Sequence, residues 1–388
     1  MSTIAVVILA AAVAQGFGRF TYGVVLPDIR DDLLDGSNTL AGLLGTTNTF
    51  SYLVGTLTVA WLGTKLPPIN VLRVGMVFSV SGIALAVIAP TGVTLAIALA
   101  LMGLGGAAIW IPSPGLATTV VSVRRRGLAV GMMGSGVGVG IVFSGQLATV
   151  VDNSGRSWRT VYGVHACIGI VTLLLVVFVL QNRGGTRSAS GGIGGFGVLS
   201  QMPGWRPLIA CYAVYGFGYL LVVAFLVARL EDDSGFTSGQ ADRMFALMGL
   251  CTIFGGVTLG RISDRLGRRR TLSAGYAAFS GSTLLLLTGS QPWVAVGAVG
   301  TGILFGGLAT VIAAYIVDRT DLSTYGPSYA AATFAFGLAQ VASPQAGGAL
   351  ADWRGSFTLV FVLSAAVMST GSLIALALPH DHVDDAHQ

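Results

Sequence analysis

Gly260-Arg261-Ile262-Ser263-Asp264-Arg265-Leu266-Gly267-Arg268-Arg269-Arg270 packs five arginines and one aspartate between two apolar runs, about 240–262 and 270–288. Each run approaches the roughly 20 residues that an α-helix needs to cross the ~30 Å hydrocarbon core of a bilayer. A short basic turn between two such runs is the signature of a chain that doubles back on the cytoplasmic side of a membrane. The fold turns on whether the rest of the sequence repeats that arrangement.

It does. Apolar residues make up 53% of the 388 and charged residues 10%, with a mean hydropathy of +0.79. Soluble domains carry about 25% charged residues, so this chain lacks the polar surface to cover a water-soluble particle. The 56 glycines fit close packing between membrane helices. Cys167, Cys211 and Cys251 all fall in apolar runs and suggest no disulfide framework.

Twelve spans are predicted, at about 4–27, 40–63, 69–90, 92–117, 127–150, 158–180, 206–229, 240–262, 270–288, 292–317, 326–350 and 356–378. Ala12-Val13-Ala14 resembles a signal-peptidase site. No basic segment precedes it and the apolar run continues past it, so the first run reads as a retained span. With the N-terminus placed in the cytoplasm, fourteen arginines and lysines fall in inner loops and six in outer ones. The outer side also collects Asp28 to Asp35 and Glu231 to Asp233. Both termini are therefore expected in the cytoplasm of a multi-pass cytoplasmic (inner) membrane protein. The net charge of +5 is accounted for by this asymmetry, with membrane lipid rather than nucleic acid as the partner.

Shifting the sequence by 200 aligns its halves. Gly16-Phe17-Gly18 meets Gly216-Phe217-Gly218, Asp32 meets Asp232, Gly55 meets Gly255, and Leu72 and Gly75 meet Leu272 and Gly275. Parallel repeats of six spans are a transporter architecture. The expected units are 1–181 (N-terminal bundle), 182–205 (a glycine- and serine-rich flexible cytoplasmic linker), 206–379 (C-terminal bundle) and 380–388 (a cytoplasmic tail).

With the repeat in place, the loop from Gly260 to Arg270, lying between spans eight and nine, resembles the signature of the major facilitator superfamily. Gly16-Phe17-Gly18-Arg19-Phe20, Tyr22 and Leu26-Pro27 further resemble a YbfB/YjiJ-type bacterial branch. The resemblance implies an all-α integral membrane fold of 12 transmembrane helices as two pseudo-symmetric six-helix bundles. It also implies a monomer without cofactors. In that family the loop's aspartate faces the positive end of a helix in the opposite bundle, which assigns Gly260, Asp264, Arg265, Gly267 and Arg268 a conformational role. Asp264 is expected near Arg126 and Gly127. The equivalent N-half loop has Thr64 and Pro68 where Asp264 and Arg268 stand, so one lock is expected, not two.

Gly134-Ser135-Gly136-Val137-Gly138-Val139-Gly140 sits within a span and reads as helix packing, since a dinucleotide fingerprint needs a preceding strand. Gln15, Arg19 and Tyr22, spaced i, i+4, i+7, are expected on one helix face. A charge at Arg19's depth costs about 2.5–3.5 kcal/mol on insertion scales and persists where it has a partner, water or a function. All sixteen acidic residues lie in loops or near span ends, so an internal counter-ion is not expected. The family places spans one, four, seven and ten around a central cavity. There, Tyr212, Tyr215 and Tyr219 on span seven would oppose the Arg19 face. Asn48, Tyr52, Trp110, Tyr315, Phe334 and Gln340 complete the substrate-binding candidates, each with a packing reading beside it. His165, in span six, is expected at the periphery.

The expected function is secondary transport of a small organic anion of carboxylate type by alternating access, with proton coupling open. The rival is an exporter of amphiphilic drugs or metabolites. No metal cluster or catalytic constellation is apparent, and no enzyme activity is expected.

Overall fold

A computed structural model of the chain describes residues 2–62, 65–118, 120–122, 126–180 and 195–379, and every structural statement below concerns these. The linker stretch 181–194, the tail 380–388 and Thr64 lie outside them. So do the contacts of Arg126 and Gly127, the expected partners of Asp264.

The first span is composite: α1 (Ser2–Ala11), a π-helical stretch (Ala12–Phe20), α2 (Thr21–Val24) and, past a bend at Val25, α3 (Leu26–Leu33). Next come α4 (Asn38–Leu62), α5 (Pro68–Val87), α6 (Gly92–Trp110), the short α7 (Ser113–Thr118), α8 (Arg126–Asn153) and α9 (Arg159–Val179). The second half comprises α10 (Gly195–Leu199), α11 (Trp205–Ser234), α12 (Ser238–Leu266), α13 (Arg268–Leu286), α14 (Gln291–Val317), α15 (Leu322–Arg354) and α16 (Thr358–Ala375). Nine of these stretches are long and apolar enough to cross a membrane by themselves. The long helices α4, α13 and α15, of 25, 19 and 33 residues, complete the twelve but carry more polar residues.

Both halves pack alike. α4 and α5 lie on α6 as α12 and α13 lie on α14, and α5 meets α9 as α13 meets α16. The paired Gly-Phe-Gly copies sit at matching crossings. A Cβ on Gly16 would come within 2.5 Å of Gly140 Cα on α8, and one on Gly216 within 2.8 Å of Phe336 on α15. Glycine is used at each to let backbones approach. The glycines of α8 behave as expected in part. Gly136 approaches Ile8, Gly138 approaches Gly249 and Ile253, and Gly140 approaches Gly16, while Gly134 has open space.

The bundles meet mainly through α4 against α15 and α8 against α12. Close contacts gather toward the end carrying Arg30 and Asp232, here called the acidic end. Gly42 and Gly45 abut Pro344, Gly348 abuts Asn38, and Gly145 abuts the backbone of Asp242. Arg30 makes a bidentate ion pair with Asp232 across the boundary. Asp352 accepts from the backbone N–H groups of Asn38 (2.9 Å) and Thr39 (2.7 Å). Toward the opposite, basic end the pairs diverge: nothing lies within 4 Å of Cβ positions on Gly131, Gly134 or Gly260. The molecule is shut at its acidic end.

One expectation needs correction and another gains a detail. His165 is not peripheral. It is fully buried among the first span, α8 and α9, stacked on Phe17 at 4.0 Å, with Thr21 and Ser144 each 3.4 Å from a ring nitrogen. Its helix does lie outside the central boundary, but this face turns inward onto Phe17, Thr21 and Ser144. Asp242 lies near a helix start as expected. It is nevertheless only 1% exposed, because α12 is pressed on α8 there.

Candidate functional site

The wall of the site begins with the π-helical turn. The Thr21 N–H bonds Gly16 O, a five-residue step that widens the helix by one residue per ring. Gln15 and Arg19 still share a face, since both engage Tyr52 of α4. The Arg19 guanidinium carbon lies 4.7 Å from the ring centre, and the Gln15 side chain lies beside the Tyr52 hydroxyl. Tyr22 lines a small cavity together with Arg19, but its hydroxyl is committed to the backbone. It is 5% exposed and donates its hydroxyl proton to Ala41 O at 2.8 Å, strapping α2 to α4.

Arg19 reaches across the bundle boundary. Its Nη2 donates to Gln340 Oε1 on α15 at 2.6 Å, and Gln340 Nε2 in turn donates to the Tyr219 hydroxyl on α11. Arg19 Nε is buried and has no hydrogen-bond partner. No carboxylate among the described residues forms an ion pair with Arg19. The cation is held by neutral groups: an amide, a phenol network and the faces of Tyr52 and Phe20.

Facing it from the C-terminal half is an aromatic stack. Tyr215 lies 4.9 Å from Tyr219, Tyr219 4.7 Å from Phe305, and Tyr212 4.5 Å from Phe336. Phe305 and Phe336 escaped sequence reading, although the signal was present. Tyr329, Thr333, Phe336 and Gln340 recur at i, i+4, i+7, i+11 along α15, one helix face. Phe334 is two residues, about 200°, around the helix from Phe336. It turns away to meet Phe196 of α10 edge-on.

The structure thus gathers Gln15, Arg19, Tyr52, Tyr212, Tyr215, Tyr219 and Gln340. Asn48 lies next to them, but its amide donates to Gly18 O and Leu99 O and ties the first span to α6. Trp110 ends α6 and packs on the core. Tyr315 is fully buried near the basic end, under the Arg319 guanidinium and beside Gly204. A cavity of about 30 Å³ lies on the acidic-end side of Arg19, between Tyr22, Thr49, Val223 and Pro344. That is room for a water or two, not for a substrate.

At the basic end, Asp264 accepts from Arg268 Nη1 at 2.6 Å, and Arg268 Nε donates to Asp318 at 2.8 Å. Arg268 also donates to Ser263. Gly267 turns the chain between α12 and α13 at φ +85°, in the left-handed region that favours glycine. The loop is thereby tied to the end of α14 within its own half.

A family model described as "Uncharacterised MFS-type transporter YbfB" matches residues 11–376. The chain belongs to the major facilitator superfamily. This superfamily member is a multi-pass membrane transporter and not an enzyme. Among solved structures, a D-xylose-proton symporter superposes with a TM-score of 0.77 over 98% of each chain, at 14% identity. Monocarboxylate transporter 13 of Rattus norvegicus is 26% identical over 336 residues, 82% of this chain and 75% of the rat protein. Myo-inositol transporter 3C of Cryptococcus neoformans is 28% identical over 180 residues, 45% of this chain. That match spans 30% of the fungal protein's length.

Proposed function

We propose that this transporter moves a small organic anion of carboxylate type across the cytoplasmic membrane, rocking its two bundles, 1–181 and 206–379, about the Arg19 site. The observation carrying this reading is Arg19 itself: a cation at the bundle boundary, with neutral partners and an unsatisfied Nε. Such a charge is costly in a low-dielectric setting. An incoming carboxylate would supply the missing acceptor and the missing countercharge in one bidentate contact. Because Arg19 and Gln340 belong to opposite bundles, a ligand on them is positioned to link binding to bundle movement. Similarity to the rat monocarboxylate transporter supports the carboxylate class, and the xylose-proton symporter fold supports proton coupling. The acidic end is assigned to the outside, both termini to the cytoplasm, and the transporter to a monomer. Asp264, with Gly260, Arg265, Gly267 and Arg268, is assigned to stabilising the opposite, basic-end-closed state.

A second reading has its own support. The stack of Tyr212, Tyr215, Tyr219, Phe305 and Phe336 offers apolar faces to an amphiphilic compound, which an exporter would carry. Thermal stabilisation of the detergent-purified protein separates the two. Small carboxylates, other anions and neutral amphiphiles are compared on wild type and Arg19→Ala, the rise in Tm following ligand concentration over Kd. A carboxylate that protects wild type but not Arg19→Ala supports the anion carrier. Protection of both proteins by neutral amphiphiles alone rejects it in favour of the exporter.

A further inference from the structure

Asp242 sits in the first turns of α12, 1% exposed, where that helix lies against the last turns of α8. A Cβ on Gly145 would meet Asp242 O at 2.8 Å, and one on Gly239 would meet Thr149 Cγ2 at 3.4 Å. No donor among the described residues reaches Asp242 Oδ2. The side chain facing it is another carboxylate, Asp152, which follows Gly145 and Thr149 on the face of α8 that meets α12. Two carboxylates can share a hydrogen bond only if one of them carries a proton.

The surroundings strengthen this requirement. Glu231 from α11 and Asp28 from α3 face the pair with further negative charge. α14, which also packs on α12, has no charged side chain. The nearest basic group on α12, Arg243, directs its Nε to Gly239 O, and no ion pair joins it to Asp152 or Asp242.

We propose that Asp152 and Asp242 form a proton-binding site between the bundles, occupied when the acidic end is shut and emptied when it opens. With the proton bound, the pair bridges α8 and α12. Without it, two adjacent anions, with Glu231 and Asp28 behind them, repel and drive the helices apart. The ligand is a proton taken from the compartment that the acidic end faces. This inference rests on the alternating-access reading above, not on the identity of the substrate.

The test uses the full chain in nanodiscs, with Cys167, Cys211 and Cys251 replaced by serine and spin labels on Arg156→Cys and Ser290→Cys. Electron–electron distance distributions are recorded from pH 5.5 to 9, with and without the stabilising carboxylate. The expected result is a short distance at low pH, with a longer population growing at least fivefold as pH rises. Asp242→Asn, whose amide donates to Asp152 without a proton, is expected to stay short at every pH, and Asp152→Asn to do the same. Wild-type distances that ignore pH overturn the site. So does titration of both variants like wild type, or loss of titration in Asp28→Asn or Glu231→Gln while Asp242→Asn still titrates. Distances that respond to carboxylate but not to pH reject the proton site and keep alternating access. One fixed distance under all conditions rejects both.

Discussion

At the residue scale, Arg19 joins the two bundles through its 2.6 Å hydrogen bond to Gln340. Arg19 was recognisable because a charge inside an apolar run is costly and therefore informative. Its partner Gln340 could be nominated, but their contact joins residues 321 positions apart, and no periodicity predicts such a pairing. Tyr22 shows the opposite case. Its i+7 spacing from Gln15 points to the site and it does line the small cavity with Arg19, but its hydroxyl goes to Ala41. Tyr22→Phe is accordingly expected to cost about 1 kcal/mol of stability and to leave ligand protection intact, read from paired melting curves. Gln340→Leu is expected to do the reverse. It removes the acceptor of Arg19 and the donor to Tyr219, weakening carboxylate protection by a factor of about 10, or ~1.4 kcal/mol. Arg19→Lys keeps the charge but loses the planar fork, so it is expected to bind carboxylate more weakly than wild type and better than Arg19→Ala.

Among the elements, most helices were legible because each consists of one long apolar run ended by charge, proline or glycine. α4, α13 and α15 are more polar, yet each still reads as a run of span length between charged or turn-forming residues. The π-helical stretch was not legible: Ala12–Phe20 has no proline, and its glycines serve helix crossings as well as conformational freedom. Gly16→Ala would place a methyl group 2.5 Å from Gly140 Cα, against backbone that cannot rotate away. It is expected to cost about 1–3 kcal/mol, seen as a lower Tm and yield. Gly134→Ala, which meets open space in the same glycine-rich helix, is expected to be neutral or slightly stabilising. The α3 segment adds a pH signature. Asp28 keeps an exposed face, but partial loss of water and the charges of Asp152, Asp31 and Asp32 push its carboxyl up to about 6. An acid raised in the folded protein stabilises it fully below its unfolded value, near 4, and loses that contribution as pH rises through about 6. Asp28→Asn is expected to flatten stability over that interval, measured by melting at stepped pH. Asp32 works with the opposite sign. Arg159 first, and then Trp158, hold it below the usual carboxylate range, so its contribution is lost on acidification.

For the whole molecule, the repeat foretold two bundles, but which end they close belongs to contacts between distant residues. The charge pattern puts Arg30 in an outer loop; it is 8% exposed and bridges to Asp232 on the other bundle. Arg30→Ala is expected to loosen the acidic end, raising the rate at which a single Ser51→Cys, 9% exposed on α4, is modified by a thiol reagent applied from that side. A rate unchanged from the Arg30 parent would assign closure to the helix contacts alone. The short first turn of α4 carries a last consequence. Its leading amides, Asn38 and Thr39, are capped by Asp352, a carboxylate borrowed from the opposite bundle rather than by a residue of their own strand of sequence. When the bundles part, that cap leaves and the turn loses its anchor. Deuterium uptake at these two amides is therefore a native clock for each opening, one that needs neither label nor known cargo.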